Sequence, residues 1–298
     1  MILIILIPII LLVLSYAFWL DGYADPFYLH FASPKQSSLI LGTSRSSLAI
    51  CPFIFKKNGY EDVYNYSFTI AESPWGKDYY NSICRKLDTT KHNGLFIVSV
   101  DPFAVSSQKN DADEEVIPHT MLAEIDNVAQ SPNWTYIGKY NVQPWKNILY
   151  KMKIQTPSFR LHEDGWYENL RVWNIETEKQ ETDLKIREYK RGFKNNVISH
   201  SRLLFLRKTI SFLKQYGSVY IVRIPTSPAM YELENQQFSN FDSIIHVIAN
   251  EYDVRYINCA PQSKEYRTFD GNHLIPEDAQ KFTQNLCDSI KAIENNAK

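Results

Sequence analysis

Short apolar runs alternate along most of the chain with longer segments whose apolar residues recur every three or four positions. The runs are Ser38–Leu41 (SLIL), Val63–Tyr66, Leu95–Val100 (LFIVSV), Val219–Ile224 and Val254–Ile257. The third is almost continuously apolar, as a strand covered on both faces should be. Ser73-Pro74 supplies an N-cap and a proline at N1 ahead of Tyr80, Ile83, Cys84 and Leu87 at helical spacing. Leu203, Leu206, Ile210 and Leu213 form a second stripe that Gly217 terminates. Phe241, Ile244, Ile245 and Ile248 form a third, and Pro276 opens a last helix carrying Ala279, Phe282, Leu286 and Ile290. Strands alternating with helices predict an α/β fold, with helices on both faces of a five-stranded parallel sheet and right-handed crossovers.

Two stretches break the alternation. Met1 to Leu20 carries no charged side chain, and a helix of that length reaches across a hydrocarbon core of about 30 Å. We read residues 1–22 as an N-terminal transmembrane anchor, with Trp19 and Tyr23 at the interface and Pro8 tolerated in lipid. A cleaved signal peptide is the alternative, because Ser15-Tyr16-Ala17 has the small-x-small pattern of a cleavage site. A buried core helix fits less well, since such a helix rarely lacks a polar stripe. Either of the first two readings puts residues 23–298 outside the cytoplasm, in the periplasm or at the cell surface.

The second stretch, about 103–196, sustains neither period and concentrates Trp134, Trp145, Trp166 and Trp173. It reads as a large insertion leaving the carboxyl end of the third strand, the edge where open α/β sheets bind ligands. That placement suits a substrate-binding cap; the alternative is that the aromatics merely build a subsidiary core. Within it, Lys185, Arg187, Lys190, Arg191 and Lys194 alternate with Asp183 and Glu188, the pattern of a solvated helical face. Asn133-Trp134-Thr135 is a formal glycosylation sequon.

Composition narrows the partners. The 298 residues hold 32 Lys+Arg against 33 Asp+Glu, a net charge of −1, so no field favours nucleic acid. With hydrophobic residues at 44% the chain has ample core. Cys51, Cys84, Cys259 and Cys287 stand far apart, without metal-site spacing, and read as buried small hydrophobes; a disulfide stays open. The histidines outside the motif below show no metal-ligand spacing, and neither a metal nor a cofactor is expected.

Two segments carry candidate chemistry. In Leu39-Ile40-Leu41-Gly42-Thr43-Ser44-Arg45, a strand stops at Gly42 and presents Ser44 in the following turn, where its backbone N–H can face an oxyanion. In Phe269-Asp270-Gly271-Asn272-His273-Leu274, Asp and His three apart allow a carboxylate to fix the imidazole tautomer while the other ring nitrogen faces a nucleophile.

These segments resemble the first and last blocks of the SGNH/GDSL hydrolase superfamily. DGNHLIPEDAQKF is similar to that family's closing Asp-x-x-His-Leu and helix. LILGTSRSSLAICP is similar to the LGSSR-type variant of membrane-anchored bacterial members, some related to cell-surface polysaccharide acylation proteins. The resemblance covers roughly residues 36–102 and 197–296 and implies a three-layer flavodoxin-like fold. It assigns Ser44 as nucleophile, His273 as general base and Asp270 as its orienter, with the N–H groups of Ser44 and Ser67 at the oxyanion. The implied activity is hydrolysis or transfer of an O-acyl ester on a cell-surface carbohydrate. Arg45, Asp101 and Arg223 are the candidate substrate-binding residues. Asp101 stands where the family places an oxyanion-binding asparagine, so a pairing with Arg223 or Arg45 is expected to neutralise it. A catalytically inactive glycan-binding or assembly protein of the same fold is the alternative.

Overall fold

The computed structural model describes residues 2–109, 120–140, 146, 148, 149, 152 and 158–296, with the backbone alone for 2–5 and 18. Trp145 lies outside the described residues. The strands are β1 (Ser38–Leu41), β2 (Val63–Asn65), β3 (Gly94–Ser99), β4 (Ser106–Gln108), β5 (Phe159–Leu161), β6 (Tyr167–Asn169), β7 (Asn196–Ile198), β8 (Gly217–Arg223) and β9 (Arg255–Asn258). The helices are α1 (Ile2–Trp19), α2 (Tyr28–Ala32), α3 (Ser44–Ala49), α4 (Pro52–Lys57), α5 (Lys77–Lys86), α6 (Met121–Glu124), α7 (Trp134–Tyr140), α8 (Ile175–Gly192), α9 (His200–Leu213), α10 (Pro228–Gln237), α11 (Phe241–Glu251) and α12 (Pro276–Asn296).

The five core strands pair in parallel in the order β2-β1-β3-β8-β9, the 2-1-3-4-5 order of flavodoxin-like sheets. Side chains alternate across each strand. Leu39 and Leu41 of β1 join Ile83, Leu206, Ile210 and Ile248 in one buried cluster. Ile40 joins Phe55, Phe282 and Leu286 in the other. Apolar residues on both faces of one strand explain the continuous runs in the sequence.

Two element boundaries differ from expectation. α5 begins at Lys77 with Gly76 as its N-cap, because the Ser73 hydroxyl is committed elsewhere, donating to the Gly42 carbonyl at 2.7 Å. Gly217 does not stop the helix before it: α9 ends at Leu213, and Gly217 is the first residue of β8.

The insertion is closed at its base by an antiparallel pair of β4 and β7 and contains a β5–β6 hairpin. α8, started by an Asn174/Thr177 capping box, has no buried residue, so its basic stretch is the solvated face that the charge pattern predicts. The sequon asparagine is fully buried, and its Nδ2 donates to the carbonyls of Phe31 and Asn127. Among the described residues all four cysteines are free thiols.

At the N-terminus the transmembrane expectation is corrected. Among the described residues no helix is long and apolar enough to cross a membrane. α1 covers 18 residues, but its last turn belongs to the body: Tyr16, Ala17 and the following Leu20 are buried in the larger core cluster. The stretch before them, residues 2–14, is about 20 Å long at 1.5 Å per residue, short of the ~30 Å hydrocarbon thickness. Leu6, Ile7 and Ile9 to Leu14 are exposed. The chain then turns tightly into the body. The Asp21 carboxylate accepts from the N–H groups of Tyr23 and Ala24, and Leu161 N–H donates to the Gly22 carbonyl at 2.8 Å. A Cβ on Gly22 would collide with the Leu161 carbonyl, so only glycine fits this crossing.

Candidate active site

β1 and the last loop bring three of the predicted residues together. Gly42, at φ +149°, turns the chain out of β1 where a Cβ would come within 2.9 Å of Ser99 Cβ; a side chain here would be strained as well as crowded. Ser44 is consequently the first residue of α3, with no intramolecular acceptor for its N–H among the described residues. Its Oγ lies 2.8 Å from His273 Nε2. On the other side of the ring, Nδ1 lies 2.8 Å from Asp270 Oδ2. A carboxylate only accepts, so Nδ1 carries the proton and Nε2 presents a lone pair to the serine hydroxyl.

The loop holds this tautomer rigidly. Asp270 Oδ1 accepts from the backbone N–H groups of Asn272 and His273, and the His273 ring stacks on Phe269 at 5.5 Å. Burial alone would raise the Asp270 pKa, but the adjacent His273 and these hydrogen bonds outweigh it and hold the carboxyl below its ordinary value. Ser44 and His273 remain partly exposed above a buried floor.

Sequence reasoning missed Asn272, although it sits inside the motif. Arg45 Nε donates to Asn272 Oδ1 at 2.8 Å. Because a guanidinium only donates, this contact fixes the amide orientation and turns Nδ2 toward the base, 3.2 Å from His273 Nε2. Tyr189 of the insertion helix α8 accepts from the same Nδ2 at 3.1 Å. The insertion therefore reaches the residues around the serine.

Arg45 and Arg223 are structural at their own ends. Arg45 pairs with Glu234 at 2.5 Å, and both side chains are buried. Arg223 reaches the other oxygen of Glu234 at 2.7 Å and Asp242 at 2.8 Å. The ion pair expected for Asp101 does not form with either arginine. Instead Asp101 Oδ1 accepts from the N–H groups of Phe103 and Ala104, and Oδ2 from the Thr43 hydroxyl. Asp101 is thus turned into its own loop, while its charge is still felt by Arg45: burial would lower the Arg45 pKa, but Glu234 and then Asp101 raise it.

Ser67 does not stand as an oxyanion donor. It is fully buried, and its N–H donates to Asn65 Oδ1 at 3.2 Å. Asn65 takes this position because its own Nδ2 is held by the carbonyls of Ser46 and Ile50. Among the described residues no group of three or more His, Cys, Asp or Glu is placed to hold a metal ion. Of the insertion's tryptophans, Trp173 stacks on Phe269 behind the His273 loop, Trp166 donates to the Leu48 carbonyl, and Trp134 is exposed. Compared with models of known protein families the chain matches none, and a comparison with curated proteins likewise finds no match.

Proposed function

We propose that the protein is a serine-dependent O-acyl ester hydrolase or O-acyltransferase acting on a carbohydrate. The observation that carries this reading is the continuous hydrogen-bonded chain Ser44–His273–Asp270, with the serine and histidine open to solvent. In the reaction, Ser44 Oγ attacks the ester carbonyl as Nε2 of His273 takes its proton, and Asp270 stabilises the resulting imidazolium. The oxyanion takes the N–H of Ser44 and the Nδ2–H of Asn272. Once Nε2 is protonated it can no longer accept from Asn272, which frees that donor as negative charge develops. Collapse of the tetrahedral species expels the alcohol with the proton from Nε2 and leaves an acyl-serine. Water or a sugar hydroxyl, deprotonated by His273, then attacks the acyl group and releases acid or transferred ester.

The second reading, a glycan-binding or assembly protein without turnover, draws on one observation: the Ser67 N–H is occupied, which leaves a single backbone donor at the oxyanion. Labelling with a fluorophosphonate separates the two. Stoichiometric modification of the native chain, lost in Ser44→Ala at unchanged melting temperature, is the expected result; no labelling above that of Ser44→Ala would favour the non-catalytic reading. We further infer that the exposed apolar part of α1 lies in the interface of a membrane without crossing it, and that the body works outside the cytoplasm.

A further inference from the structure

The insertion helix α8 lies along the loop that carries the base. Glu178 pairs with Arg267 at 2.5 Å, a Cβ on Gly271 would come within 2.7 Å of Thr182 Cγ2, and the Tyr189 hydroxyl meets Asn272 Nδ2 at 3.1 Å. Glu178, Thr182 and Tyr189 fall at whole-turn spacings and so share one face of the helix. α8 has no buried residue, yet this face follows the loop from Arg267 to the residue beside His273. The Tyr189 ring is held by edge-on contact with Phe103 at 4.7 Å and by Phe193 at 5.0 Å.

The direction of the Tyr189–Asn272 hydrogen bond is fixed. Arg45 Nε holds Asn272 Oδ1, so the amide nitrogen faces Tyr189, and an amide nitrogen only donates. The tyrosine oxygen therefore accepts. Its own proton is left over, because among the described residues no acceptor takes it. Burial raises the Tyr189 pKa; Arg45 opposes this, while Asp101, Asp270 and Glu234 add to it. The hydroxyl thus keeps its proton at neutral pH. Donation into its oxygen from Asn272, itself polarised by Arg45, strengthens that O–H as a donor to a further acceptor.

The oxyanion is short of such donors. Asn65 takes the Ser67 N–H, which leaves the Ser44 N–H and, after proton transfer to His273, Asn272 Nδ2. An oxygen bound about 3 Å from Nδ2 can lie within hydrogen-bond reach of a hydroxyl that is itself 3.1 Å from Nδ2. We propose that the Tyr189 hydroxyl is a further oxyanion donor, which puts a catalytic group on the insertion. Its hydrogen bond forms as the ester carbonyl becomes tetrahedral, and Tyr189 keeps its proton throughout. This role rests on the acyl-ester reading of Ser44.

The test measures p-nitrophenyl acetate turnover by native, Tyr189→Phe and Ser44→Ala chains, with melting temperature recorded. It adds a crystal structure of the native chain phosphonylated at Ser44 by a fluorophosphonate, in which the phosphonyl oxygen facing the Ser44 N–H stands in for the oxyanion. Expected in Tyr189→Phe is a fall in kcat of about 10²-fold with KM within about twofold of native. Expected in the adduct is Tyr189 Oη within about 3.2 Å of that oxygen. A kcat within about threefold of native overturns the donor. So does a hydroxyl more than ~4 Å from the phosphonyl oxygen, even where kcat falls, because Tyr189 would then act only by positioning Asn272. If Tyr189→Phe does not fold, the adduct structure decides alone. A native chain that neither turns over the ester nor labels at Ser44 overturns the acyl-ester reading and the donor with it, whereas a labelled chain with a remote hydroxyl overturns the donor alone.

Discussion

Replacing Asp270 by Asn tests the catalytic assignment most sharply, because the substitution preserves shape and reverses one hydrogen bond. Asp270 Oδ1 accepts two backbone N–H groups, and the amide oxygen of asparagine can do the same. The amide nitrogen then faces His273 Nδ1, 2.8 Å away in the native site, and can only donate. The imidazole must present a lone pair at Nδ1 and carry its proton on Nε2, so the base facing Ser44 becomes a donor. Two losses combine. Charges about 4 Å apart at an effective dielectric constant near 20 interact by about 4 kcal/mol, the stabilisation withdrawn from the imidazolium. The wrong tautomer adds to it, and a comparable substitution in serine proteases lowers kcat about 10⁴-fold. Expected, then, is a fall in p-nitrophenyl acetate turnover and in the fluorophosphonate labelling rate of about 10³–10⁴-fold. A variant labelled within tenfold of the native rate, in a preparation where Ser44→Ala is unlabelled, would show that the carboxylate does not set the tautomer. Stability supplies a second reading. A carboxyl held below its ordinary pKa stabilises the fold above about pH 4 and loses that contribution as pH falls through the folded value. The native chain's stability advantage over Asp270→Asn should therefore be full at pH 7 and shrink on acidification in urea titrations.

Two further outcomes follow from packing. Glu234→Gln leaves Arg45 and Arg223 buried beside an uncharged group, and a broken buried ion pair costs about 3–5 kcal/mol; urea midpoints should fall accordingly, and a loss under ~1 kcal/mol would mean that Asp242 and Asn272 suffice. At the N-terminus, deleting residues 2–14 should release the protein from membranes with little change in melting temperature. Deleting 2–22 should instead cost several kcal/mol, since each large side chain buried there is worth about 1.5–3 kcal/mol; equal stability of the two truncations would show that Tyr16 and Leu20 contribute nothing.

The sheet was legible because its strands are covered on both faces: Ser38–Leu41 and Leu95–Val100 read as apolar runs and lie within one residue of β1 and β3. Juxtaposition of Ser44 and His273, 229 positions apart, was legible as well, because both segments leave strand ends on one edge. What sequence could not show is which partner claims a polar group. Ser73 reads as a cap, yet serves the Gly42 carbonyl; Ser67 reads as a donor, yet Asn65 takes its N–H; Arg223 reads as a partner for Asp101, yet Glu234 and Asp242 outcompete it. Asn272 acquires its orientation from Arg45, 227 positions away. Local spacing carries no trace of such a contact. α1 failed as a span for a similar reason, since apolarity alone does not distinguish residues that meet lipid from Tyr16 and Ala17, which belong with Tyr28 and Phe31 to the body's own buried core.

The join between α1 and the body has a mechanical consequence. Flexible linkers let a tethered enzyme sweep a volume set by their length, but here the helix passes into the core through a turn locked by Asp21, Gly22 and Leu161. With α1 seated in a bilayer, the body has no hinge about which to swing: it would ride at one height and one tilt, like a tool on a fixed mount. Ser44 would then address only a thin shell of space at a set distance from the membrane. For the proposed activity, selection among acyl groups on a long glycan would become a matter of reach as well as of recognition, and a glycine-rich spacer inserted after Leu14, ahead of the buried turn, should broaden which positions along the polymer are modified without altering the chemistry at any of them.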